Sequence, residues 1–202
     1  MYQKLNKAKT KAINELLQQQ AALGKALGVN NIQNNRFMRD YSVSDLVGVD
    51  SINYDLHGWD GIFKNGVYFE NKNVKATAKS GLSFALKFQD TSYDKLDQMV
   101  KDGVICTTTF WGDDGKIAFI LLGNTRTVGD YLEYTYNPEQ RRSSTVSLSR
   151  CLNRGFKLVA GNYTKKQVIN VITDKFPRLG KSLTTSDIYT KKELKGLVNN
   201  LM

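Results

Sequence analysis

This chain centres on residues 57–72, which run His57-Gly58-Trp59-Asp60-Gly61-Ile62-Phe63-Lys64-Asn65-Gly66-Val67-Tyr68-Phe69-Glu70-Asn71-Lys72. Aromatic and β-branched residues flank Lys64-Asn65-Gly66, and Asn-Gly between apolar runs is a strong sequence signal for a β-hairpin. Glu70 and Lys72 are two apart on the second predicted strand, so both side chains point to one face. The sequence therefore predicts a hairpin that presents an acid and a lysine on the same side.

The length of the hairpin loop determines which residue faces Glu70. A two-residue turn at Asn65-Gly66 places Asp60 opposite Asn71, on the other face from Glu70. A three-residue loop at Lys64-Asn65-Gly66, with its glycine at positive φ and a bulge, places Asp60 directly opposite Glu70. Only the second register brings two acids and a lysine to one face and leaves apolar side chains on the other face for burial.

Two neighbouring carboxylates with a lysine beside them are suited to phosphodiester hydrolysis. Close carboxylates repel each other unless a cation lies between them, and oxygen ligands with open positions suit Mg²⁺. Lys72 can orient or deprotonate an attacking water and neutralise the charge that develops on the phosphate. We therefore predict Asp60, Glu70 and the peptide carbonyl of Asn71 as metal ligands, and Asp60, Glu70 and Lys72 as the catalytic group.

Charge is distributed unevenly along the 202 residues. The formal net charge is +10 and the isoelectric point is about 9.5. Residues 126–202 hold 14 lysines and arginines against 6 acids, which accounts for +8 of the total. This excess favours a polyanionic partner, either nucleic acid or an anionic membrane surface.

The cysteines and the apolar runs limit the class of protein. Cys106 and Cys151 are too few and too far apart for a disulfide scaffold or a zinc site of usual spacing, so both are expected to be reduced. The basic N-terminus lacks the apolar segment of a signal peptide, and the longest apolar run is only Ile117–Leu122. We expect a soluble cytoplasmic protein without a membrane partner.

The order of predicted elements indicates the fold class. A helix over residues 3–27 precedes the central hairpin; a strand, a helix from Ser92 to Gly103 and a second hairpin follow it. This order predicts an α/β (α+β) fold, with a mixed sheet flanked by helices over residues 1–125. Residues 126–202 are expected to form a basic helical extension that contacts DNA, with a Ser/Thr-rich strand over Ser143–Ser149 before its two helices.

Basic residues in several segments are candidate phosphate contacts. The last two predicted helices each open with a capping box, Thr164 with Gln167 and Thr190 with Glu193, and each box encloses a lysine pair. Backbone amides, the macrodipole and two ammonium groups can hold a phosphate there, although solvated lysines are an equally ordinary interpretation. The predicted DNA-binding residues are Arg36, Arg39, Lys75, Lys79, Arg141, Arg142, Lys165, Lys166, Lys191 and Lys192.

The pattern of Asp60, nine intervening residues, then Glu70-Asn71-Lys72 on a hairpin resembles the PD-(D/E)xK nuclease superfamily, which includes many restriction endonucleases. The strand-helix-strand order that follows is similar to that family's core, and the resemblance covers residues 1–125. Trp59 departs from the pattern, because the family name has proline at this position.

The resemblance implies a restriction endonuclease-like fold and a DNA endonuclease that depends on Mg²⁺, with Mn²⁺ as a substitute. It implies Asp60 and Glu70 as ligands and Lys72 as the catalytic lysine. An early helix often supplies another acid in this family; Glu15 is the candidate by position, and Asp45 and Asp55 compete with it.

Other hypotheses remain open. His57, the only histidine, is either an auxiliary site residue or a packing residue at a strand entrance. The chain is alternatively a non-catalytic nucleic-acid-binding protein whose acids are ordinary surface, or a junction resolvase. In a homodimer, each of the two sites would cleave one DNA strand.

Overall fold

The computed structural model describes residues 2–26, 36–53, 59–78, 84–139 and 142–202. These ranges contain both helices and strands. In chain order the strands are β1 (Tyr2–Lys4), β2 (Ser51–Asn53), β3 (Gly61–Ile62), β4 (Tyr68–Lys75), β5 (Ala85–Phe88), β6 (Ile105–Trp111), β7 (Ile117–Asn124), β8 (Ser144–Ser147), β9 (Lys157–Ala160) and β10 (Ile188–Thr190). The helices are α1 (Lys7–Ala26), α2 (Arg36–Val47), α3 (Tyr93–Asp102), α4 (Gly129–Thr135), α5 (Leu148–Asn153), α6 (Lys165–Lys175), α7 (Pro177–Ser182) and α8 (Leu194–Leu201), with 3-10 turns at Thr125–Val128 and Thr185–Asp187.

Eight of these strands form one mixed sheet in the order β1-β2-β3-β4-β6-β7-β9-β10. The pairs β4–β6 and β9–β10 are parallel, and the other neighbours are antiparallel. Strands β5 and β8 form a separate antiparallel pair. The predicted α/β class, a mixed sheet flanked by helices, is confirmed.

Apolar side chains cover both faces of the central strands. One cluster contains Phe110 and Phe119, whose rings stack at 4.2 Å, together with residues of α3, α4 and α6. The other cluster contains Phe69 and Trp111, together with residues of α1, α2 and α8. Neighbouring residues of one strand point to opposite faces, so β4 and β6 contribute to both layers and lie inside the protein.

The N-terminal segment differs from the predicted helix over residues 3–27. Residues 2–4 form β1, which pairs with β2, and the helix begins only at Lys7. Asn6 sets this boundary, because its side-chain oxygen accepts a hydrogen bond from the backbone of Ala8 at 2.9 Å. The prediction of a helix in this segment is confirmed, but its first residues pair with a distant strand and are not helical.

The C-terminal region has more strands than predicted: the strand expected over residues 143–149 is confirmed as β8, but two further strands interrupt the predicted helical extension. It supplies β8, β9 and β10, and β9 pairs with β7 in the central sheet. The first capping box is confirmed, since Thr164 and Gln167 bond each other's backbone at the start of α6. The second does not open a helix: Thr190 donates to Glu193 at 2.7 Å, but strand β10 and a turn precede α8, which starts at Leu194.

Two smaller predictions concern cysteines and membranes. Cys106 and Cys151 are buried free thiols, as expected. Burial raises the pKa of the Cys151 thiol to about 12. Among the helices of the described ranges, none combines the length and the apolar character needed to cross a bilayer.

Candidate functional site at strand β4

The hairpin between β3 and β4 turns through the three-residue loop Lys64-Asn65-Gly66. Phe63 and Val67 pair across it, with the amide of Phe63 donating to the carbonyl of Val67 at 2.8 Å. The amide of Gly66 donates to the carbonyl of Phe63 at 2.9 Å, and Gly66 has a φ of 87°. A residue with a Cβ is strained at this φ, so the glycine permits the bulged loop.

This loop sets the register that the site needs. Gly61 pairs with Phe69 and Ile62 with Tyr68, so the next position places Asp60 opposite Glu70. Phe69 is fully buried on the other face. Glycine is needed at position 61, where β3 passes close to Val49, because a Cβ there would come within 2.7 Å of the Val49 side chain. Of the two registers that the sequence left open, the structure has the three-residue loop, which places Asp60 across from Glu70.

Glu70 and Lys72 form a close ion pair on one face of β4. Lys72 Nζ donates to Glu70 Oε1 at 2.5 Å, and the ammonium also lies 5.7 Å from the centre of the Phe88 ring. Glu70 is buried, with only 5% of its surface exposed. Within the described residues its second oxygen, Oε2, is buried and has no hydrogen-bond partner. A buried carboxylate oxygen without a donor is costly, so this atom is available to a ligand.

Asp60 lies beside this pair and is held by β4 itself. Its Oδ2 accepts a hydrogen bond from the backbone amide of Asn71 at 2.7 Å. Burial, then the negative charges of Glu70 and Asp40, raise the pKa of Asp60 to about 8, although Lys72 and the Asn71 amide oppose the change. Two neighbouring carboxylates therefore contribute to the raised pKa of Asp60, and a positive charge beside it would lower that pKa.

The backbone of Asn71 supports the predicted third ligand. In an extended strand the N–H and C=O of one residue point to the same side. Since the Asn71 amide donates to Asp60, its carbonyl also faces the Asp60 side of β4. The peptide oxygen thus lies on the same side of the strand as the acid with which it was predicted to act.

The Asn71 side chain points to the opposite face and enters a closed polar network. Its Oδ1 accepts from the hydroxyls of Thr107 and Thr109, both at 2.8 Å. Its Nδ2 donates to Asp40 at 2.8 Å and to Asn73 at 3.0 Å. Asn73 in turn donates to Asp40 at 2.7 Å and accepts from the Trp111 indole at 2.8 Å. This network joins β4 to β6 and to helix α2.

Asp40 is the acid that the sequence analysis missed. Residues 29–50 are polar and rich in turn-forming residues, and their sequence alone predicts only a short helix near Ser42–Val47. The helix actually begins at Arg36. With that start, Asp40, Val43 and Val47 share one helix face at i, i+3 and i+7, and the two valines are buried. That spacing was the available signal.

The three candidates for an additional acid fare differently. Glu15 is exposed on α1, and Asp45 lines a separate cleft; neither contributes to the shift of Asp60. Asp55 lies outside the described residues, as does His57. In the part of the chain that the structure describes, no three His, Cys, Asp or Glu residues converge closely enough to form a metal cluster alone.

The predicted DNA contacts occupy several surfaces. Arg39 lies 5.3 Å from the Trp111 ring, and burial lowers its pKa although Asp40 opposes this. Lys75 ends β4, and Arg142 is exposed, with a φ of 44°. Lys79 and Arg141 lie outside the described residues, as does the side chain of Arg36.

Two lysine-bearing turns meet at one end of the sheet. The strands β9 and β10 are parallel, so the segments that follow them emerge at the same edge. Lys165 and Lys166 start α6 after β9, and Lys191 and Lys192 follow β10. The pKa of Glu193 is lowered mainly by the hydrogen bonds from Thr190 and, in smaller part, by the charge of Lys165, which is consistent with neighbouring turns.

No family model matches the sequence, and no curated protein matches it. The function is therefore inferred from the acids, the lysine and the charges described above.

Proposed function

We propose that this protein is a metal-dependent DNA endonuclease that hydrolyses phosphodiester bonds at the face of β4 formed by Asp60, Glu70 and Lys72. One observation carries the proposal: the bulged loop brings Asp60 opposite Glu70, and Lys72 lies on the same face. An acid pair with an adjacent lysine matches what hydrolysis of a phosphodiester requires.

The residues fit a hard divalent cation. Among the described residues, Glu70 Oε2 is buried and has no hydrogen-bond partner. Neighbouring carboxylates are part of the reason that the pKa of Asp60 is raised. Mg²⁺ is commonly bound through one or two carboxylates and keeps several waters, so two acids and the Asn71 carbonyl form a sufficient set. When bound, Mg²⁺ would neutralise negative charge on the substrate phosphate. Mn²⁺ is expected to substitute for it.

Lys72 is the residue that we assign to the attacking water. Its side chain is 29% exposed, so the ammonium can reach both Glu70 and a substrate at the surface. Next to a phosphate, the ammonium would orient the water and offset the charge developing on the phosphoryl oxygens. The hydrogen bond from the Asn71 amide would keep Asp60 oriented toward the same space.

Affinity for DNA would come from the basic surfaces. The net charge of +10 favours a polyanion, and the two lysine-bearing turns after β9 and β10 concentrate positive charge at one edge. Carboxylates repel DNA, so binding and cleavage should depend on different residues. The alternative of a non-catalytic nucleic-acid-binding protein uses the same charge but gives Glu70 and Lys72 no chemical role.

The test is incubation with supercoiled plasmid in the presence of Mg²⁺, with and without EDTA. We expect nicked or linear products only with the free metal. Glu70→Gln and Lys72→Met should each reduce the cleavage rate at least about 100-fold. Glu133→Gln, which changes an exposed acid on α4, is the matched control and should cleave like the wild type.

DNA affinity, measured in parallel by fluorescence anisotropy, separates the hypotheses. Glu70→Gln should bind DNA at least as tightly as the wild type, whereas Arg142→Ala should weaken binding with a smaller salt dependence. Salt-dependent binding without cleavage under any divalent metal would favour the non-catalytic alternative. Cleavage that persists in Glu70→Gln would refute the assignment of the site.

A further inference from the structure

A polar cleft lies apart from the β4 site. It has a volume of about 270 Å³ and is bounded by helices α1 and α2 on one side and by the ends of β6, β7, β9 and β10 on the other. Asp60, Glu70, Asn71, Lys72 and Asp40 do not line it. The cleft is thus a second candidate site with its own residues.

The helix side of the cleft carries polar groups that the fold leaves unused. Within the described residues, the Asp45 carboxylate forms no hydrogen bond or ion pair, and neither Asn14 Nδ2 nor Gln18 Oε1 has a partner. Asp45 is also half-buried in the last turn of α2, where the negative end of the helix dipole disfavours an acid. An acid that is unpaired, half-buried and unfavourably placed is poorly explained by stability.

The opposite side of the cleft is cationic. Lys191, in the turn after β10, forms no ion pair with any described residue. Lys116, at the start of β7, lies 4.0 Å from Asp114, and both side chains are close to half exposed, so this contact contributes little. A ligand that fills the cleft therefore has two lysines on the sheet side and a carboxylate with amides on the helix side.

We propose that this cleft binds one nucleotide, with its phosphate on Lys116 and Lys191 and the donor edge of its base on Asp45. Two lysines suit a phosphate, which carries more negative charge than a carboxylate. Carboxylate and amide side chains accept and donate the hydrogen bonds that base edges offer, and Asp45 favours bases with an exocyclic amino group. The volume, just below the usual range for small-molecule sites, holds a single nucleotide and excludes a duplex.

The experiment is isothermal titration calorimetry of the full chain in EDTA with dAMP, dGMP, dCMP and TMP. The corresponding nucleosides and inorganic phosphate are titrated separately. We expect one-to-one binding of an amino-bearing nucleotide, about tenfold tighter than its nucleoside and than TMP. No metal and no cleavage are involved, so the outcome is independent of the proposed nuclease activity.

Variants assign the two ends of the ligand. Lys191→Gln should weaken nucleotide binding about tenfold and leave nucleoside binding unchanged, while Asp45→Asn should weaken both about tenfold. The matched controls are Lys195→Gln and Asp174→Asn, which change exposed residues outside the cleft and should bind like the wild type. Circular dichroism would verify that each variant is folded.

A short single-stranded oligonucleotide then distinguishes free from strand-borne nucleotides. Competition with the bound nucleotide would indicate that the cleft accepts a nucleotide of a strand, and lack of competition would indicate a free nucleotide. Either result is compatible with the proposal. It is overturned if none of the four nucleotides binds saturably, if phosphate alone binds as tightly, or if Asp45→Asn has no effect on binding.

Discussion

The two faces of strand β4 both carry polar side chains, but they differ in how many of the hydrogen-bonding groups on those side chains have partners. On one face Glu70 and Lys72 form a pair, and within the described residues Glu70 retains a buried oxygen without a partner. On the other face Asn71 uses both atoms of its amide in four hydrogen bonds. One strand thus separates a face with unmet hydrogen-bonding capacity from a face where this capacity is used internally.

This difference distinguishes a site from its support. A satisfied buried network rigidifies the strand that it holds, whereas an unsatisfied buried carboxylate lowers stability unless something binds it. Asn71 connects the two faces, because its side chain belongs to the closed network and its backbone amide holds Asp60. We therefore expect substitutions on the closed face to alter stability and those on the open face to alter chemistry.

The largest effect on stability is expected for Asn71→Leu. Leucine has a similar size but leaves Thr107, Thr109, Asn73 and Asp40 without the amide that joins them. Breaking a buried network that includes a charge should lower the free energy of unfolding by about 3–5 kcal/mol. Urea denaturation followed by circular dichroism measures this loss.

Thr107→Val provides the graded control for that experiment. It removes one hydrogen bond, and Thr109 still donates to the Asn71 oxygen, so the loss should be about 1 kcal/mol. If Asn71→Leu and Thr107→Val cost the same, the closed face is not a cooperative network and the contrast between the faces is weaker than we infer.

The pH dependence of stability gives the next effect. Asp60 has a pKa of about 8 in the folded protein against an ordinary value of 3.8. A raised pKa means that the folded state holds the proton more tightly, so this contribution to stability is complete below about pH 4 and is lost as the pH rises toward and through 8. Without metal, the wild type should lose stability across this window relative to Asp60→Asn.

Unfolding by urea in EDTA at pH 5, 6.5 and 8 tests this expectation. The other ionisable groups are common to both proteins, so the difference between the two profiles isolates Asp60. Mg²⁺ should reduce the difference at pH 8, since a cation favours the ionised acids. Parallel profiles without metal would mean that Asp60 is already ionised throughout this range.

The open face was largely predictable from the sequence, and the closed face was not. Glu70 and Lys72 share a face by the alternation of a strand, and Asn-Gly with flanking apolar residues limited the loop to two registers. Strand alternation and turn preference both depend only on residues close together in the sequence. The closed face depends on contact between α2 and β4, and Asp40 is 31 residues from its partner Asn71. Its helix was predicted too short, which concealed the shared face with Val43 and Val47.

The same distinction explains the other errors. Residues 2–4 join a sheet because β2 is available, and Thr190 belongs to a strand because β9 lies beside it. In both places a helix signal was present, and pairing with a distant strand overrode it. Of the C-terminal strands, β8 was predicted, and β9 and β10 were missed for the same reason, since each depends on a partner remote in sequence.

A smaller effect is expected at the loop that sets the register. Gly66 has positive φ but no atom within 4 Å of an added Cβ, so Gly66→Val introduces backbone strain without a clash. This strain should cost about 1 kcal/mol or slightly more. Relief of the strain changes the bulge and moves Asp60 away from Glu70, so cleavage should fall much more than stability does.

Comparison with Gly155→Val tests whether position matters. Gly155 also has positive φ, at 89°, with no atom near an added Cβ, but it lies between α5 and β9. The two variants should lose similar stability, and only Gly66→Val should lose cleavage. Equal losses of cleavage would show that general destabilisation, not register, causes the effect.

The smallest effect on stability is expected for Glu70→Gln, on the open face. The amide is nearly the same size, it still accepts a hydrogen bond from Lys72, and it removes a negative charge near Asp60. Lys72 is partly exposed and still donates to the amide oxygen, so one hydrogen bond replaces the ion pair and the free energy of unfolding should change by no more than about 1 kcal/mol.

The same substitution should also lower the pKa of Asp60. Burial is the largest cause of its raised pKa, and the negative charge of Glu70 is the next largest. The pH profile of metal-free Glu70→Gln should therefore be flatter than that of the wild type, and urea denaturation at the three pH values used for Asp60→Asn measures it. A near-neutral effect on stability together with loss of cleavage would separate the open face from the closed one. A loss of several kcal/mol, close to that of Asn71→Leu, would instead mean that Glu70 supports the fold and that both faces of β4 are structural.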